Sequence, residues 1–516
     1  MAKQSNKIKE SLREFNRRRK IRVREMLDDW TGKDIAKSIL FFLLHTFVLV
    51  LIMAAVLLGR HVKELRAYLT ENGAEYLYAL FCVMLLMMIM YFYFLFEDRQ
   101  ILRNGKTICL IFVVVDLHFL ISWVIGEYIH VYARPVAFAG LLIYALLRRK
   151  DAIFINVICS LLIFVTDTFT GMGGASAGIA ARENYSSLIM SFSAGMIAIY
   201  LCNSIKSRFA VVLVGIAIVV PIEFIIFILE LSTFLEDGGV RGLSDMQNIL
   251  LLMGYGLAGG VLSAMLFLPV LPILEVAFKR LTVFRLHELT STDAKLLKML
   301  QEEAPGTADH VKDVAKIAEE CAVAIGEDAE LARAAALYHD VGKMVDPEYF
   351  TENQSGYNPH SELPPEVSAE IIRSHVTKGA ELIRRNHLPE ILADVALQHH
   401  GTLRIRYFHE KAKRLTDGKV NKEDYCYCGP KPQTKIAAII MIADGAEAAV
   451  RAAKTKDPLT VSNITLSIIN ERMQEEQFTE CDITMAELTK IHHALIHALT
   501  GQYHHRIEYP DVTDDD

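Results

Sequence analysis

The chain has 516 residues, 52% of them apolar, and its mean hydropathy is positive, which is too oily for a chain that builds only water-soluble cores. The net charge of −7 is lopsided: the first 33 residues carry eleven Lys or Arg, while the chain ends on Asp514, Asp515 and Asp516. That distribution needs no nucleic-acid partner, and no DNA or RNA is expected to bind.

A basic N-tail over 1–34, with RRRK at 17–20, precedes an apolar run that is long enough to span and lacks a small-residue cleavage site, so it reads as an uncleaved first span rather than a signal peptide. The region 35–278 reads as a membrane domain of about eight spans, near 36–59, 73–96, 107–126, 131–147, 152–171, 185–203, 209–234 and 247–278, each close to what about 30 Å of hydrocarbon requires. An even number places both termini on one side. The segments then assigned to the cytoplasm (the N-tail, 97–106, 148–150, 205–208 and 279–280) are rich in Lys and Arg, whereas the opposite loops at 171–184 and 236–245 are rich in Gly. The positive-inside rule therefore predicts a multi-pass membrane protein with cytoplasmic N- and C-termini. Arg60, Lys63 and Arg66 dissent from that pattern. Asp116, Asp167, Glu223 and Glu230 fall within spans, where a charge costs at least a few kcal/mol unless paired or hydrated; each is a candidate ligand or proton site, or else an acid paired with a neighbouring helix. The eight cysteines form no paired framework and read as free thiols.

From residue 279 to 516 the pattern changes to amphipathic helices separated by polar loops, with few strand signals, so the fold class is all-α: a helical membrane domain followed by an all-helical cytoplasmic domain. Its histidines cluster. His310, His339, His360, His375, His399 and His400 lie within a hundred residues; His339 and Asp340 follow the apolar run LARAAALY, and Asp444 follows IAAIIMIA. A buried, unpaired Asp is costly. Coordination of a divalent cation removes that cost, and one carboxylate can bridge two ions about 3.5–4 Å apart, which suits displacement at phosphorus. Imidazole and carboxylate without nearby thiolate favour iron or manganese over a structural zinc cage.

The segments APGTADH (304–310), YHDVGKM (338–344), ENQSGYNPHSELPP (352–365), SHVTKG (374–379), QHHGT (398–402), YCGPKPQ (427–433) and ADGAEAAVR (443–451) resemble the HD domain of the seven-transmembrane HD phosphohydrolases. These bacterial membrane proteins hydrolyse cyclic di-AMP to its linear dinucleotide. The resemblance implies a binuclear site, with His310, His339, Asp340 and Asp444 around one metal and Asp340, His375, His399 and His400 around the other. It also implies that Lys343 meets phosphate charge, and that Asn358 and His360 order a loop or touch substrate. Relatives usually carry a large outer domain after the first span, where only about residues 60–72 stand here. They also lack the acid Asp309 beside the first ligand, which here would bear on phosphate affinity.

The resemblance thus points to a membrane-anchored phosphodiesterase acting on cyclic di-AMP and giving linear pApA, with His339, Asp340 and Lys343 in the chemistry, two divalent transition-metal ions, the lipid bilayer as partner, and room for a homo-oligomer. Alternatives stay open: hydrolysis of cyclic di-GMP or another nucleotide, a catalytically silent receptor whose HD domain binds a nucleotide, or a transporter whose ion flux depends on Asp116 or Asp167.

Overall fold

A computed structural model describes residues 32–58, 65–170, 177–236, 243–416, 418 and 420–502. The basic N-tail before residue 32, Arg60, Lys63, much of the two Gly-rich loops and the acidic terminus lie outside the described residues, as does the Glu230 side chain. The chain divides into two compact units, Met1–Thr282 and Val283–Asp516. Both are helical; among the described residues the only extended pairing is an isolated bridge between Arg404 and Cys426.

The first unit is built from α1 (Gly32–Leu58), α2 (Leu65–Glu97), α3 (Arg99–Arg103), α4 (Gly105–Tyr128), α5 (Phe138–Leu146), α6 (Arg149–Thr170), α7 (Ala177–Cys202), α8 (Val211–Ala217), α9 (Val219–Glu236) and α10 (Leu243–Phe278). Among the described residues, seven helical stretches are long and apolar enough to cross a membrane, from Gly32–Val56 to Gln247–Phe278. Their outer faces expose Leu40, Phe81, Val220 and Phe224 by 65% or more, a surface that only lipid would cover favourably. This is a multi-pass membrane protein.

The span expected at 131–147 takes a different form. It is a 3-10 turn, Val131–Ala133, followed by the nine-residue α5, because Pro135 cannot donate to a helical ladder and Arg134 turns inward. Arg134 is 1% exposed. Its guanidinium meets both oxygens of Asp167 at 2.5 and 2.9 Å and donates to the Ser122 carbonyl at 3.0 Å. The segment nevertheless returns to the end of the bundle where α4 begins. Arg148 pairs with Asp98 at 2.9 Å, Lys150 donates to the Glu97 carbonyl at 2.8 Å, and Tyr93 donates to Asp151 at 3.2 Å. The same end holds Arg208 against Glu275 at 2.7 Å and Arg280 against Thr107.

The second unit contains α11 (Val283–Leu289), α12 (Lys295–Glu303), α13 (Pro305–Ile325), α14 (Ala329–Tyr338), α15 (Pro365–Arg385), α16 (Glu390–Gln398), α17 (Arg406–Leu415), α18 (Lys435–Ala452), α19 (Pro458–Gln474) and α20 (Met485–Gln502). Local signals set the boundaries. Pro305 opens α13, and Gly326, at φ 79°, closes it in the left-handed conformation. Asp328 caps α14 by accepting from the Leu331 amide at 3.0 Å, and Thr434 caps α18 by accepting from the Ala437 amide at 3.2 Å; each cap contributes about 1 kcal/mol. Ala332, Ala334, Ala335 and Ala336 let α14 lie close to its neighbours, and α18 is buried along most of its length from Ile436 to Val450. Two largely buried helices are thereby placed at the centre of the unit, with Asp340 just beyond the end of the first and Asp444 on the second.

Candidate metal centre

Seven side chains converge on that centre from five elements. His310 lies on α13 and His375 on α15. His339 ends α14 and His399 ends α16, each followed by the next donor, Asp340 and His400. Asp444 comes from α18. They form two groups, His310 with His339, Asp340 and Asp444, and His375 with His399 and His400; within each group the donor atoms lie within 4.8 Å of one another.

Asp340 joins the groups. Its Oδ2 faces His339 Nε2 at 3.3 Å and His310 Nε2 at 3.7 Å, while its Oδ1 faces His375 Nε2 at 3.2 Å and His399 Nε2 at 3.5 Å. Asp444 Oδ1 lies 2.9 Å from His310 Nε2, and Oδ2 lies 3.9 Å from His400 Nδ1. The ring orientations are fixed from behind. His339, His375 and His399 present Nδ1 to the carbonyls of Ala336, Ile372 and Ala396 at 2.6, 2.6 and 2.9 Å, which leaves the Nε2 lone pairs turned inward. His339 Nε2 and Asp340 Oδ1 are buried and make no hydrogen bond. Orphaned lone pairs in two compact groups, with no thiolate among them, are the donor set of a hard or borderline divalent cation.

The electrostatics agree with that fit. Burial opposes any charge on Asp340 and Asp444, yet Lys343 and His339 around the first, and His310 and His339 around the second, hold both carboxyls well below the usual range. Burial disfavours protonation of His339, but Asp340 and Asp444 outweigh it and push the imidazole up to about 10. His399, mainly through burial, is pulled down to about 4, and His400 falls well below its usual value for the same reason. The centre draws positive charge while keeping two imidazoles neutral for coordination.

Gly342 makes the convergence possible. A Cβ there would run into the His375 carbonyl and stand 2.6 Å from the Gly379 amide, so only glycine lets the His339–Asp340 turn seat against α15. Lys343 pairs with Asp340 Oδ2 at 2.7 Å and with Glu352 Oε1 at 2.9 Å.

Asn358 and His360 are not among the seven donors. Asn358 caps a 3-10 turn by accepting from the His360 amide at 3.0 Å. His360 is buried, directs Nε2 to the Tyr349 carbonyl at 3.0 Å, and packs against Phe408 with ring centres 4.9 Å apart. Asp309, expected to bear on the site from beside His310, is exposed and pairs with Lys312 at 3.1 Å; one residue along a helix turns a side chain by about 100°.

Sequence reasoning missed four side chains here. Glu352 holds Lys343 from the far side. Tyr427 stacks on His400 with centres 4.3 Å apart, its main chain pinned to the Leu403 carbonyl at 3.0 Å. Glu447, one turn after Asp444, contacts His310, and Arg451 contacts Glu447. The i, i+3 and i+7 spacing along ADGAEAAVR was the available signal.

Residues 74–282 match the family described as 7TM receptor with intracellular HD hydrolase, and residues 307–449 match the HD domain family. The chain is 40% identical over 384 residues to the cyclic-di-AMP phosphodiesterase PgpH of Listeria monocytogenes, covering 74% of this chain and 50% of that one. It is 34% identical over 433 residues to PgpH of Bacillus subtilis, covering 82% and 58%. The chain thus spans about half the length of the curated relatives it matches. The crystal structure of the L. monocytogenes PgpH HD domain aligns over 41% of this chain and 100% of its own, at 47% identity and a TM-score of 0.40; the same domain in complex with cyclic di-AMP aligns at 48% identity and 0.40, over 42% of this chain and 99% of its own.

Proposed function

The chain belongs to the family of seven-transmembrane proteins with an intracellular HD hydrolase domain, and on that footing we propose that it is a membrane-anchored, metal-dependent phosphodiesterase that opens cyclic di-AMP to linear pApA. One observation carries the reading furthest: the two oxygens of Asp340 are divided between two histidine groups, at 3.3 and 3.7 Å on one side and 3.2 and 3.5 Å on the other. A shared carboxylate between two cation sites is the arrangement used for displacement at phosphorus. That both matched PgpH proteins bear the name cyclic-di-AMP phosphodiesterase supports the choice of substrate.

In this reading His310, His339, Asp340 and Asp444 hold one divalent ion and Asp340, His375, His399 and His400 the other, with iron or manganese suiting the donors. Bound there, such ions supply Lewis acidity toward a phosphate ester and make water a nucleophile near neutral pH. The protein's own part is positional. The helix carbonyls behind His339, His375 and His399 aim their Nε2 atoms, Lys343 offers a buried ammonium to phosphate charge, and Tyr427 closes the face of His400. Water adds at phosphorus and one P–O ester bond breaks.

The orientation is part of the same proposal. Arg148 lies beside Asp98, so α4 and the broken segment after it run out and back; counted with the seven long helical stretches this gives eight crossings, an even number that supports termini on one side. Arg99, Arg103, Lys106, Arg149, Lys206 and Lys279 crowd that side, which supports a cytoplasmic assignment. The test is incubation of the full chain with Mn²⁺ and either cyclic di-AMP or cyclic di-GMP, reading the linear dinucleotide beside His339→Ala. Cleavage of cyclic di-AMP in preference, lost in the variant, is expected; equal inertness of the wild type toward both would overturn the reading.

A further inference from the structure

The four donor histidines that have an Nδ1 partner behind them fall into two kinds. His339, His375 and His399 rest on neutral main-chain carbonyls. His310 does not: its Nδ1 meets Glu447 Oε2 at 2.8 Å. Glu447 is 0% exposed, and its other oxygen is gripped by Arg451 through Nε at 2.8 Å and Nη2 at 2.6 Å. Arg451 Nη2 also stands 2.9 Å from His310 Nδ1, so imidazole, carboxylate and guanidinium form a closed triangle. His310 Nε2 lies 2.9 Å from Asp444 Oδ1; a cation at Nε2 requires the ring proton on Nδ1, where Glu447 Oε2 is the acceptor, while the Arg451 guanidinium, which can only donate, holds Glu447 in place.

An imidazole whose Nδ1–H is held by a carboxylate donates more strongly through Nε2 than one held by a neutral carbonyl, and replacing such a partner typically costs 10–100-fold in metal affinity. Charge separates the two groups further. The His310 group contains two carboxylates, Asp340 and Asp444, whereas the other consists of three imidazoles with Asp340 Oδ1 as the nearest acidic oxygen to His375 and His399, at 3.2 and 3.5 Å.

We propose that Glu447 is a positioning residue for His310 that makes the His310, His339, Asp340 and Asp444 group the tighter of the two cation sites, so that the centre fills in order, this group first and the His375, His399 and His400 group second. The proposal rests on the metal-centre reading above and adds to it an order and a residue responsible for the order.

The experiment is a Mn²⁺ titration of the full-length chain in lipid nanodiscs after metal stripping, with free Mn²⁺ followed by electron paramagnetic resonance. The wild type is expected to take up two ions in two resolved steps. Glu447→Gln keeps an acceptor for the Nδ1–H and the side-chain volume but removes the charge; it is expected to weaken the first step by about 10–100-fold and to leave the second unchanged. His399→Ala is expected to abolish the second step and keep the first, which tests the order even if Glu447→Gln fails to fold. A first step unchanged in Glu447→Gln, two indistinguishable steps in the wild type, or loss of the tight step in His399→Ala would each overturn the proposal. A wild type that binds no Mn²⁺ would overturn the metal-centre reading itself.

Discussion

The Nε2 atoms of His375 and His399 face one another at 3.3 Å, each ring having its Nδ1 against a carbonyl of its own helix. With both Nδ1 atoms donating to carbonyls, the two Nε2 lone pairs face one another, an arrangement that a cation between them relieves. Metal binding should therefore stabilise the fold as well as enable chemistry. At a free concentration 100 times its Kd, one ion contributes about 2.7 kcal/mol, and in a domain of this size each kcal/mol moves Tm by roughly 2–4 °C. A chelator is expected to lower the melting temperature by roughly 5–10 °C, with Mn²⁺ restoring it. A melting curve indifferent to both reagents would contradict the account.

Lys343 and Asp340 form a contact of 2.7 Å with side-chain exposures of 13% and 1%. Breaking a buried pair by removing one member costs about 3–5 kcal/mol, because the other charge is left alone. Lys343→Met strands both Asp340 and Glu352, but a bound divalent ion compensates Asp340. The stability difference from wild type is thus expected to be larger in chelator than in Mn²⁺, as read by paired thermal melts; the reverse order would contradict the assignment.

Acid should loosen α20 through a group remote from the metal centre. Glu487 accepts from Lys435 Nζ at 2.7 Å and from the amide and hydroxyl of Thr484 at 2.8 and 2.9 Å. Lys435 and then Thr484 hold its carboxyl at about 2, below the ordinary 4.5. A carboxyl lowered in the folded state stabilises the fold above its unfolded value and loses that contribution as pH falls through the folded value. The stability advantage of wild type over Glu487→Gln is expected to be constant from about pH 8 to about pH 5 and to shrink from there toward about pH 2. Denaturant melts across that range check it; an advantage that grows on acidification would contradict it.

Within the membrane unit, Arg134 and Asp167 depend on each other. Arg134→Met alone leaves Asp167 buried and unpaired and is expected to cost about 3–5 kcal/mol, whereas Arg134→Met combined with Asp167→Leu should recover much of the loss. Thermal stability of the full chain in detergent tests this. A double variant no better than the single one would show that the pair is not what anchors the broken segment.

Much of this was legible because burial and chemistry coincide in the chain. His339, Asp340 and Asp444 end or follow apolar runs, so their polar atoms had to be satisfied by something other than water, and the histidine spacing supplied the rest. The break inside the span at 131–147 was not legible, because hydropathy averages over the segment and does not register that Arg134 and Pro135 interrupt the helix. Asp167 was marked as an intramembrane acid, but its partner is 33 positions away in the chain and only the packed bundle reveals it. Glu447 was overlooked because an acid three residues after Asp444 in an alanine-rich helix looks like a solvated position; the structure turns it inward at 0% exposure. Asp309 erred in the opposite sense, being adjacent in sequence and directed away in space.

Hydrolysis by the proposed mechanism requires both histidine groups joined by Asp340. The measurement that bears on it most directly is turnover of cyclic di-AMP by the metal-stripped full chain as Mn²⁺ is added back, with bound Mn²⁺ counted at each point, beside Asp340→Ala. No cleavage is expected in stripped protein, a rise is expected that follows the second ion bound per chain, and none in Asp340→Ala at any Mn²⁺ concentration. Cleavage by the stripped protein, or by Asp340→Ala at the wild-type rate, would contradict it.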